Sequence, residues 1–457
     1  MNTINKQDQD SPYSEDKKPD IIIFGGTLLS MAEGEGLLNN VSVHIRKDRI
    51  IDIQSGIRRP YPDGADMIDA SNCIIMPGLI NAHTHCAMTL FRGYADDLPL
   101  DKWLYEKIFP AEAAHLNPEN VYWGALLGCL EMIASGTTSH IDGYFFQDNT
   151  VKAVNRSGLR AIIAQGVIDY PAPGVDDPER NLLTGREFIE KWLNYSGLIT
   201  PGLFCHSPVT CSPKTLKEAM EISREYSLPM QIHLSETSGE VEEVIKRTGR
   251  RPVLFLNDLG LLGDDLIAAH SIHLDNEEIE LLSRNGTLVV HVPESNMKLA
   301  SGVARVTDML RAGLTVGIGT DGCASNNNLD LFKEMDSAAK MGKVFTKNPV
   351  NMGAVTLLKM ATSWGAKIMG MENELGIIQK GKKADIIVVD MNSPHLVPLY
   401  NPISTMVYSA RGSDVKDVIV DGKILMKDRR FQTLDPEEVM ERIIAIGRDI
   451  KAWKISG

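Results

Sequence analysis

The sequence predicts an α/β protein in which a (β/α)8 barrel, or TIM barrel, carries a small composite β-sandwich built from both chain ends. Three observations support this fold class. Short apolar runs alternate with helical segments through the middle of the 457-residue chain, as in parallel β/α units. Runs of β-branched residues bounded by turn residues occur near both ends. Hydrophobic residues make up 43% of the chain, which supplies a large core and excludes a disordered protein.

The two ends of the chain have the composition of antiparallel strands. Residues 1–18 are polar and charged and are expected to be a disordered lead-in, and 19–75 form the N-terminal part of the predicted sandwich. The C-terminal part is predicted over 376–431, followed by a helix within 432–457. The predicted strands of the sandwich are 21–24, 41–45, 50–53, 385–389, 406–408, 418–420 and 424–425.

The segment 76–375 is predicted to be the barrel. Its candidate strands alternate with helical segments such as 117–134, 213–226 and 276–284. An open, doubly wound sheet is the structural alternative, but no glycine-rich dinucleotide turn follows the first strand. Eight β/α units over about 300 residues favour a closed barrel. The eight candidate strands are 76–81, 137–141, 161–167, 201–204, 229–232, 266–269, 287–290 and 315–319.

Charge and cysteine usage narrow the class of function. The chain carries 47 Lys and Arg against 60 Asp and Glu, and the resulting net charge of −13 disfavours nucleic acid as a partner because it repels a phosphate backbone. No basic and apolar leader opens the sequence and no run reaches about 18 apolar residues, so neither export nor a membrane partner is expected. Six scattered cysteines without a C-x-x-C pair are typical of reduced thiols. We therefore expect a cytoplasmic protein.

Histidines stand at the ends of the predicted barrel strands. In a parallel barrel the C-terminal ends of all strands meet on one face, where active sites lie, so these side chains are expected to converge. Two residues apart on one strand, the imidazoles of His83 and His85 lie on the same side and can share a metal ion. The strand-end histidines are His83, His85, His206, His233, His270 and His291.

These positions predict one divalent metal ion per chain. His83, His85 and His233, with the carboxylate of Asp321 at the end of strand 8, suit zinc, the preferred assignment, or ferrous iron. That ligand set leaves a position for water, which ionises near neutral pH when it is bound to such an ion.

Two further polar residues are predicted to handle protons. Glu236, three residues after His233, can shuttle a proton between the water and a substrate nitrogen. His270 is either another ligand or a donor that orients the water. We prefer the second role because four ligands are already present.

Four strings of residues surround the candidate ligands: PGLINAHTH over 77–85, HLSET over 233–237, SNMKLASG over 295–302 and GTDG over 319–322. Together they resemble the amidohydrolase superfamily, and within it the 5-methylthioadenosine/S-adenosylhomocysteine deaminases. The resemblance covers residues 20–451. It implies the same composite β-structure beside a metal-dependent barrel.

The resemblance also implies roles residue by residue. It matches Glu112 to a carboxylate that binds ribose hydroxyls and His206 to a substrate-binding histidine. Trp103 matches a loop of the family beside the substrate, and Arg180 lies near a position where the family has an arginine. Cys323 departs from the family pattern, which usually has a small residue there. The resemblance assigns His83, His85, His233 and Asp321 to the metal, and Glu236, His270 and Asp321 to catalysis.

The predicted function is a metal-dependent deaminase that converts an adenosine-like nucleoside (5-methylthioadenosine, S-adenosylhomocysteine, adenosine or 5-deoxyadenosine) to the inosine-like product and ammonia. The alternative is an amidohydrolase acting on another nitrogen heterocycle, a guanine-type base or a substituted triazine. Glu112 discriminates between them, because only a sugar-bearing substrate offers that carboxylate a diol. Strand 4 ends in Cys205-His206 without a lysine that could bridge two metals, which favours one ion per chain. Family members are often oligomers, so a homo-oligomer is expected.

Overall fold

Five strands open the part of the chain that the computed structural model describes, which is residues 18–56 and 64–453. The lead-in predicted for 1–18 lies outside the described residues apart from Lys18. Apolar side chains of the first three strands face one core, and the polar residues between them form the turns. The five strands are β1 (Ile21–Leu28), β2 (Leu38–Arg46), β3 (Arg49–Ser55), β4 (Asp66–Asp69) and β5 (Cys73–Pro77).

Nine short parallel strands form the barrel, in the spatial order β13-β12-β11-β10-β9-β8-β7-β6-β14. Strand β13 pairs with β12, and β14 follows it after a short break and pairs with β6, where Asp321 lies opposite Thr84. The eighth barrel strand therefore joins the seventh strand to the first and closes the barrel, which confirms the predicted fold class. The strands are β6 (Leu79–His85), β7 (Thr137–Tyr144), β8 (Arg160–Val167), β9 (Ile199–Cys205), β10 (Met230–Leu234), β11 (Leu266–His270), β12 (Leu288–His291), β13 (Val316–Ile318) and β14 (Asp321–Gly322).

The predicted first barrel strand, 76–81, is wrong as a single element. It spans the end of β5 and the start of β6, which are separated at Gly78. A Cβ at this position would lie 2.1 Å from side-chain atoms of Thr138, so only glycine lets the chain pass from one sheet to the other here. His83 and His85 consequently lie within β6.

Helices cover the outside of the barrel and begin at recognisable caps. Asn117 accepts hydrogen bonds from the first turn of the helix Pro118–Ala134, and Asp275 with Glu278 forms a capping box at the start of the helix Asn276–Asn285. The helices that precede the last sheet strands are α1 (Leu100–Lys102), α2 (Phe109–His115), α3 (Pro118–Ala134), α4 (Gln147–Ser157), α5 (Asn181–Trp192), α6 (Pro213–Glu225), α7 (Ser238–Thr248), α8 (Pro252–Asp258), α9 (Asn276–Asn285), α10 (Pro293–Lys298), α11 (Val306–Arg311), α12 (Cys323–Asn326), α13 (Leu331–Thr346), α14 (Ala354–Met360) and α15 (Ser363–Ile368).

The C-terminal strands complete the first sheet. Strand β15 (Ile386–Asp390) pairs antiparallel with β5 on one side and with β16 (Val415–Val420) on the other, and β17 (Lys423–Lys427) and β18 (Arg430–Phe431) follow. The sheet order is β18-β17-β16-β15-β5-β1-β2-β3, with β4 paired to β1. The sheet curls back on itself, since Ile50 N–H donates to the carbonyl of Lys382 at 3.0 Å. Both chain ends therefore enclose one apolar core, as predicted.

The strand predicted over 406–408 is wrong, because these residues end helix α16 (Pro402–Tyr408). Asn401 caps this helix by accepting from Ser404 N–H at 3.1 Å, and Pro402 occupies its first turn. The cap overrides the strand propensity of the short apolar run. The last helix, α17 (Pro436–Ala452), packs on α3 at the outside of the barrel, as expected.

Apolar side chains plug the N-terminal end of the barrel. Ile80, Ile141 and Ile267 meet Ile368 from α15 there. The functional face is consequently the opposite one, where the strands end. No helix in the described ranges is long and apolar enough to cross a bilayer.

Candidate active site

Five of the six strand-end histidines converge as predicted, whereas His291 lines a different cavity with Arg305 and Met352. His83 and His85 lie on β6, and the rings of His233 and His270, from β10 and β11, lie 5.1 and 5.9 Å from the His83 ring. His233 Nε2 lies 3.3 Å from His83 Nε2. The ring of His85 lies 5.4 Å from that of His233. The face therefore presents four imidazoles within one metal-sized region.

Asp321 adds the carboxylate. Its Oδ1 lies 3.5 Å from His83 Nε2 and 3.1 Å from His85 Nε2, while its Oδ2 accepts hydrogen bonds from Ser295 Oγ at 2.6 Å and Ser325 Oγ at 2.9 Å. Burial raises the pKa of Asp321, but the neighbouring His83 and His85 outweigh it and hold this pKa well below its ordinary value. The carboxylate is therefore ionised, with Oδ1 directed at the histidines.

The outer nitrogens of three histidines are anchored. Nδ1 donates to Gln231 Oε1 at 3.0 Å in His83, to the Gly143 carbonyl in His85, and to Asn296 Oδ1 at 2.9 Å in His270. An Nδ1–H donated to an oxygen leaves the lone pair on Nε2, which is the atom that turns inward. Burial lowers the pKa of His83 and His233, which favours neutral rings. Burial also acts on His85 and His270, but the nearby carboxylates outweigh it and raise the pKa of both, Asp321 in His85 and Glu236 with Asp321 in His270.

This donor set fits a divalent transition metal. Neutral imidazole nitrogens and one carboxylate oxygen are ligands that zinc takes. Four ligand atoms, from His83, His233, His270 and Asp321, all lie within 4.8 Å of one another. His85 is outside that group but touches the same Asp321 oxygen. The structure thus brings together five candidate ligands, and the choice between His85 and His270 stays a prediction.

Glu236 lies beside the cluster without joining it. Its Oε2 is 3.7 Å from His270 Nε2, and its Oε1 accepts from Ser301 Oγ at 3.4 Å. Burial raises the pKa of Glu236. A carboxyl group that holds a proton more readily than usual suits proton transfer at neutral pH.

The loop that carries Glu236 is held by a second carboxylate. Both oxygens of Glu240 accept backbone hydrogen bonds, from Ser235 N–H at 2.8 Å and Glu236 N–H at 2.7 Å. Ser235 has a left-handed backbone, with φ of +51°.

Glu112 and Tyr144 form a buried pair next to the histidines. Glu112, on α2, is only 4% exposed and accepts a hydrogen bond from the Tyr144 hydroxyl. Burial raises the pKa of Glu112 to about 7, despite this hydrogen bond. The Tyr144 ring lies 6.0 Å from that of His85, so the pair stands at the edge of the cluster.

The other predicted substrate residues occupy different surroundings. His206 follows β9, its ring lies 5.2 Å from that of His233, and its Nδ1 bonds Thr210 Oγ1 at 2.9 Å. Trp103 is buried, and its indole N–H finds no partner in the described part of the chain. Arg180 is exposed in a short turn before α5 and is not among the residues that line the cavity over the histidines. Its role stays a prediction.

A cavity of about 860 Å³ opens over this face, which is large enough for a nucleoside. His206, His233 and Glu236 line its inner end. Its mouth is acidic, with Asp97, Asp101 and Glu243. The lysine of its lining, Lys298, is already paired with Asp96 at 2.5 Å.

Sequence reasoning missed the residues that anchor the site. Ser295 and Asn296 belong to a string that the resemblance uses, yet their contacts with Asp321 and His270 are visible only in the fold. Glu240 does carry a local signal, because Thr237-x-x-Glu240 is a helix-start pattern. Gln231 and Tyr144 lie on barrel strands with nothing in their neighbours to mark them.

Comparison with known proteins adds independent evidence. A profile described as the amidohydrolase family matches residues 74–425. A 5-methylthioadenosine/S-adenosylhomocysteine deaminase of Syntrophobacter fumaroxidans is 50% identical over 384 residues, covering 84% of this chain and 87% of that protein. A 5'-deoxyadenosine deaminase of Methanosarcina mazei is 47% identical over 424 residues, covering 92% of this chain and 96% of that protein. A zinc-bound adenosine deaminase from Xanthomonas campestris superposes with a TM-score of 0.92 at 33% identity, covering 95% of this chain and 99% of that one.

Proposed function

The chain belongs to the amidohydrolase family, and on that premise we propose that it is a metal-dependent hydrolytic deaminase of adenosine-like nucleosides. In this reaction the exocyclic 6-amino group leaves as ammonia, and the ring carbon gains oxygen from water. The observation that carries the proposal is the position of the Glu236 carboxylate. It lies 3.7 Å from His270, beside the histidine cluster and on the wall of a nucleoside-sized cavity.

We propose that one ion, zinc rather than iron, is held by His83, His85, His233 and Asp321. When bound, such an ion lets a water molecule lose a proton near neutral pH. Strand β9, the fourth strand of the barrel, places the ring of Phe204 4.9 Å from the His233 ring. A second ion on this side of the cluster would need a ligand at that position. This aromatic ring supports a single ion per chain.

The chain's own groups move the protons. Glu236 takes one proton from the water and delivers it to the ring nitrogen beside the attacked carbon. Asp321 Oδ1 passes the second proton to the departing amino group, since Oδ2 is engaged by Ser295 and Ser325. His270, anchored by Asn296, orients the water from the other side.

We propose that Glu112, beside the histidine cluster, recognises the ribose. Glu112 is buried, and its carboxylate accepts one hydrogen bond in the described ranges, from the Tyr144 hydroxyl. It therefore has acceptor positions left for the two hydroxyls of a ribose. His206 and Trp103 would contact the nucleoside beside it, and Arg180 would reach only a long substituent. A free base or a triazine has no hydroxyls for Glu112, which supports a nucleoside.

We further propose a cytoplasmic homo-oligomer. All six cysteines are buried and free, which is typical of a reducing compartment. Val344, Phe345 and Val350 are exposed apolar side chains that a second copy could cover. Light scattering after size-exclusion chromatography measures the number of chains.

An ammonia-release screen tests the function. Zinc-loaded protein is incubated with adenosine, 5-methylthioadenosine, 5-deoxyadenosine and S-adenosylhomocysteine, and with guanine and substituted triazines. We expect release from nucleosides only, and loss of at least about 10²-fold in turnover with zinc retained in Glu236→Gln. Equal release from guanine or a triazine would refute the nucleoside assignment, and full activity of Glu236→Gln would refute the role of Glu236.

A further inference from the structure

Glu240 is a half-buried carboxylate in the lining of the cavity, and the proposed reaction does not use it. It is the third residue of α7, after the cap Thr237, whose Oγ1 accepts from Glu240 N–H at 3.1 Å. Its two oxygens accept from Ser235 N–H and Glu236 N–H at 2.8 and 2.7 Å. Both oxygens are therefore committed to the backbone of the segment that carries Glu236.

A second helix of this chain shows what the same spacing normally does. At the start of α9, Glu278 follows the cap Asp275 by three residues and accepts from the Asp275 N–H at 3.0 Å, closing a capping box. Thr237 and Glu240 have the same spacing. The Glu240 carboxylate instead reaches past its own cap residue to the two preceding peptides, so it serves the turn more than the helix.

That turn needs support. Ser235 has φ of +51°, and left-handed backbone is costly for a residue other than glycine. Its carbonyl accepts from Ile272 N–H at 3.1 Å and His273 N–H at 3.0 Å, in the segment that follows His270. The Ser235 peptide groups are thus tied to Glu240 on one side and to the His270 segment on the other.

We propose that Glu240 is a positioning residue that sets the Glu236 carboxylate against the substrate by clamping the Ser235 turn. This inference rests on the proposed function, in which Glu236 carries the proton. A carboxylate accepts both backbone N–H groups at once. An amide at the same place offers one acceptor and turns its NH2 toward the other N–H, so Glu240→Gln should release one side of the clamp.

The test is a double-mutant cycle on zinc-loaded protein. Glu240→Gln is expected to lower kcat about 10- to 100-fold with KM within about two-fold and zinc content unchanged, because a displaced base loses transition-state and not ground-state interactions. In the Glu236→Gln background the same change should alter kcat by less than about two-fold, since the group being positioned is already inactive. Glu242→Gln, an exposed glutamate on the same helix, is the matched control and should leave kcat unchanged.

Several results would overturn the inference. Equal losses in both backgrounds would mean general structural damage, and an unchanged kcat in Glu240→Gln would mean no role. If Glu240→Gln does not fold, Glu240→Asp, which keeps the charge but falls short of the two N–H groups, takes its place in the cycle. If wild-type protein deaminates no nucleoside, the proposed function fails. The clamp is then tested by amide exchange of the 235–236 segment, which must accelerate in the Glu240 variant and not in Glu242→Gln.

Discussion

Glu112→Gln should make the protein more stable and less active at the same time. Glu112 is 4% exposed, takes part in none of the ion pairs found in the described ranges, and has only the Tyr144 hydroxyl as a hydrogen-bond donor there. Burial raises its pKa from 4.5 to about 7. The folded protein therefore resists ionisation of this group, which the unfolded chain accepts freely above pH 4.5.

The sign and size of the stability effect follow from that pKa. A raised carboxyl pKa means that the fold binds the proton more tightly than the unfolded chain, so stability from this group is lost as pH rises from 4.5 to about 7. At about 1.4 kcal/mol per pH unit, the cost reaches about 3 kcal/mol at pH 8 and is under about 1 kcal/mol at pH 5. Glutamine keeps the shape and the Tyr144 hydrogen bond but carries no charge, so it removes this cost.

Urea unfolding of wild type and Glu112→Gln, at about pH 5 and about pH 8, measures the difference between their free energies of unfolding. Glu119→Gln, at an exposed glutamate in the first turn of α3, is the matched control and should show no pH-dependent difference in stability. In parallel, kcat/KM for the nucleoside at pH 8 should fall about 5- to 150-fold, because the ribose hydroxyls lose a charged acceptor. This factor corresponds to roughly 1–3 kcal/mol of transition-state stabilisation. A difference that does not widen with pH, or undiminished discrimination against deoxyribose analogues, would refute the reasoning.

Three further predictions concern the fold, the metal and the substrate. Arg160→Met should lower the free energy of unfolding, measured in urea, by about 3–5 kcal/mol. The reason is that the buried Asp385 carboxylate, which Arg160 binds at 3.0 Å, loses its guanidinium partner. A loss below about 1 kcal/mol would contradict this. His83→Ala should lose both the ion, measured by elemental analysis, and activity, whereas retained zinc would remove His83 from the ligand set. Adenosine 5'-monophosphate should have a kcat/KM at least about 10-fold below that of adenosine, because the cavity mouth is acidic and Lys298 is already paired. Equal efficiency of the two compounds in the ammonia assay would show that the mouth does not select by charge.

The parts of the site that depend on strand order were predictable from the sequence. A parallel barrel brings all strand ends to one face, so His83, His233 and Asp321 could be placed together without knowing any long-range contact. The closed barrel and the shared terminal sheet followed in the same way from alternation and β-branched runs.

What could not be predicted depends on contacts between distant segments. Asn296, on α10, orients His270 at the end of β11, and Arg160 binds Asp385, which lies 225 residues away along the chain. The strand predicted over 406–408 failed for a local reason, because an apolar run of three residues says less than the Asn401-Pro402 helix start before it. Glu240 shows the subtler case, in which a familiar pattern is present but its carboxylate binds elsewhere.

The terminal sheet has a consequence for the order in which the protein is made. Strand β5 gains one of its neighbours only when β15 arrives, after the whole barrel has been synthesised. Until then the ribosome-bound chain exposes the free edge of β5 beside β1, with apolar residues such as Ile74 and Ile75 at that edge. An open apolar strand edge is a site of mispairing between chains. We therefore expect β5 to need protection from mispairing until β15 has been synthesised.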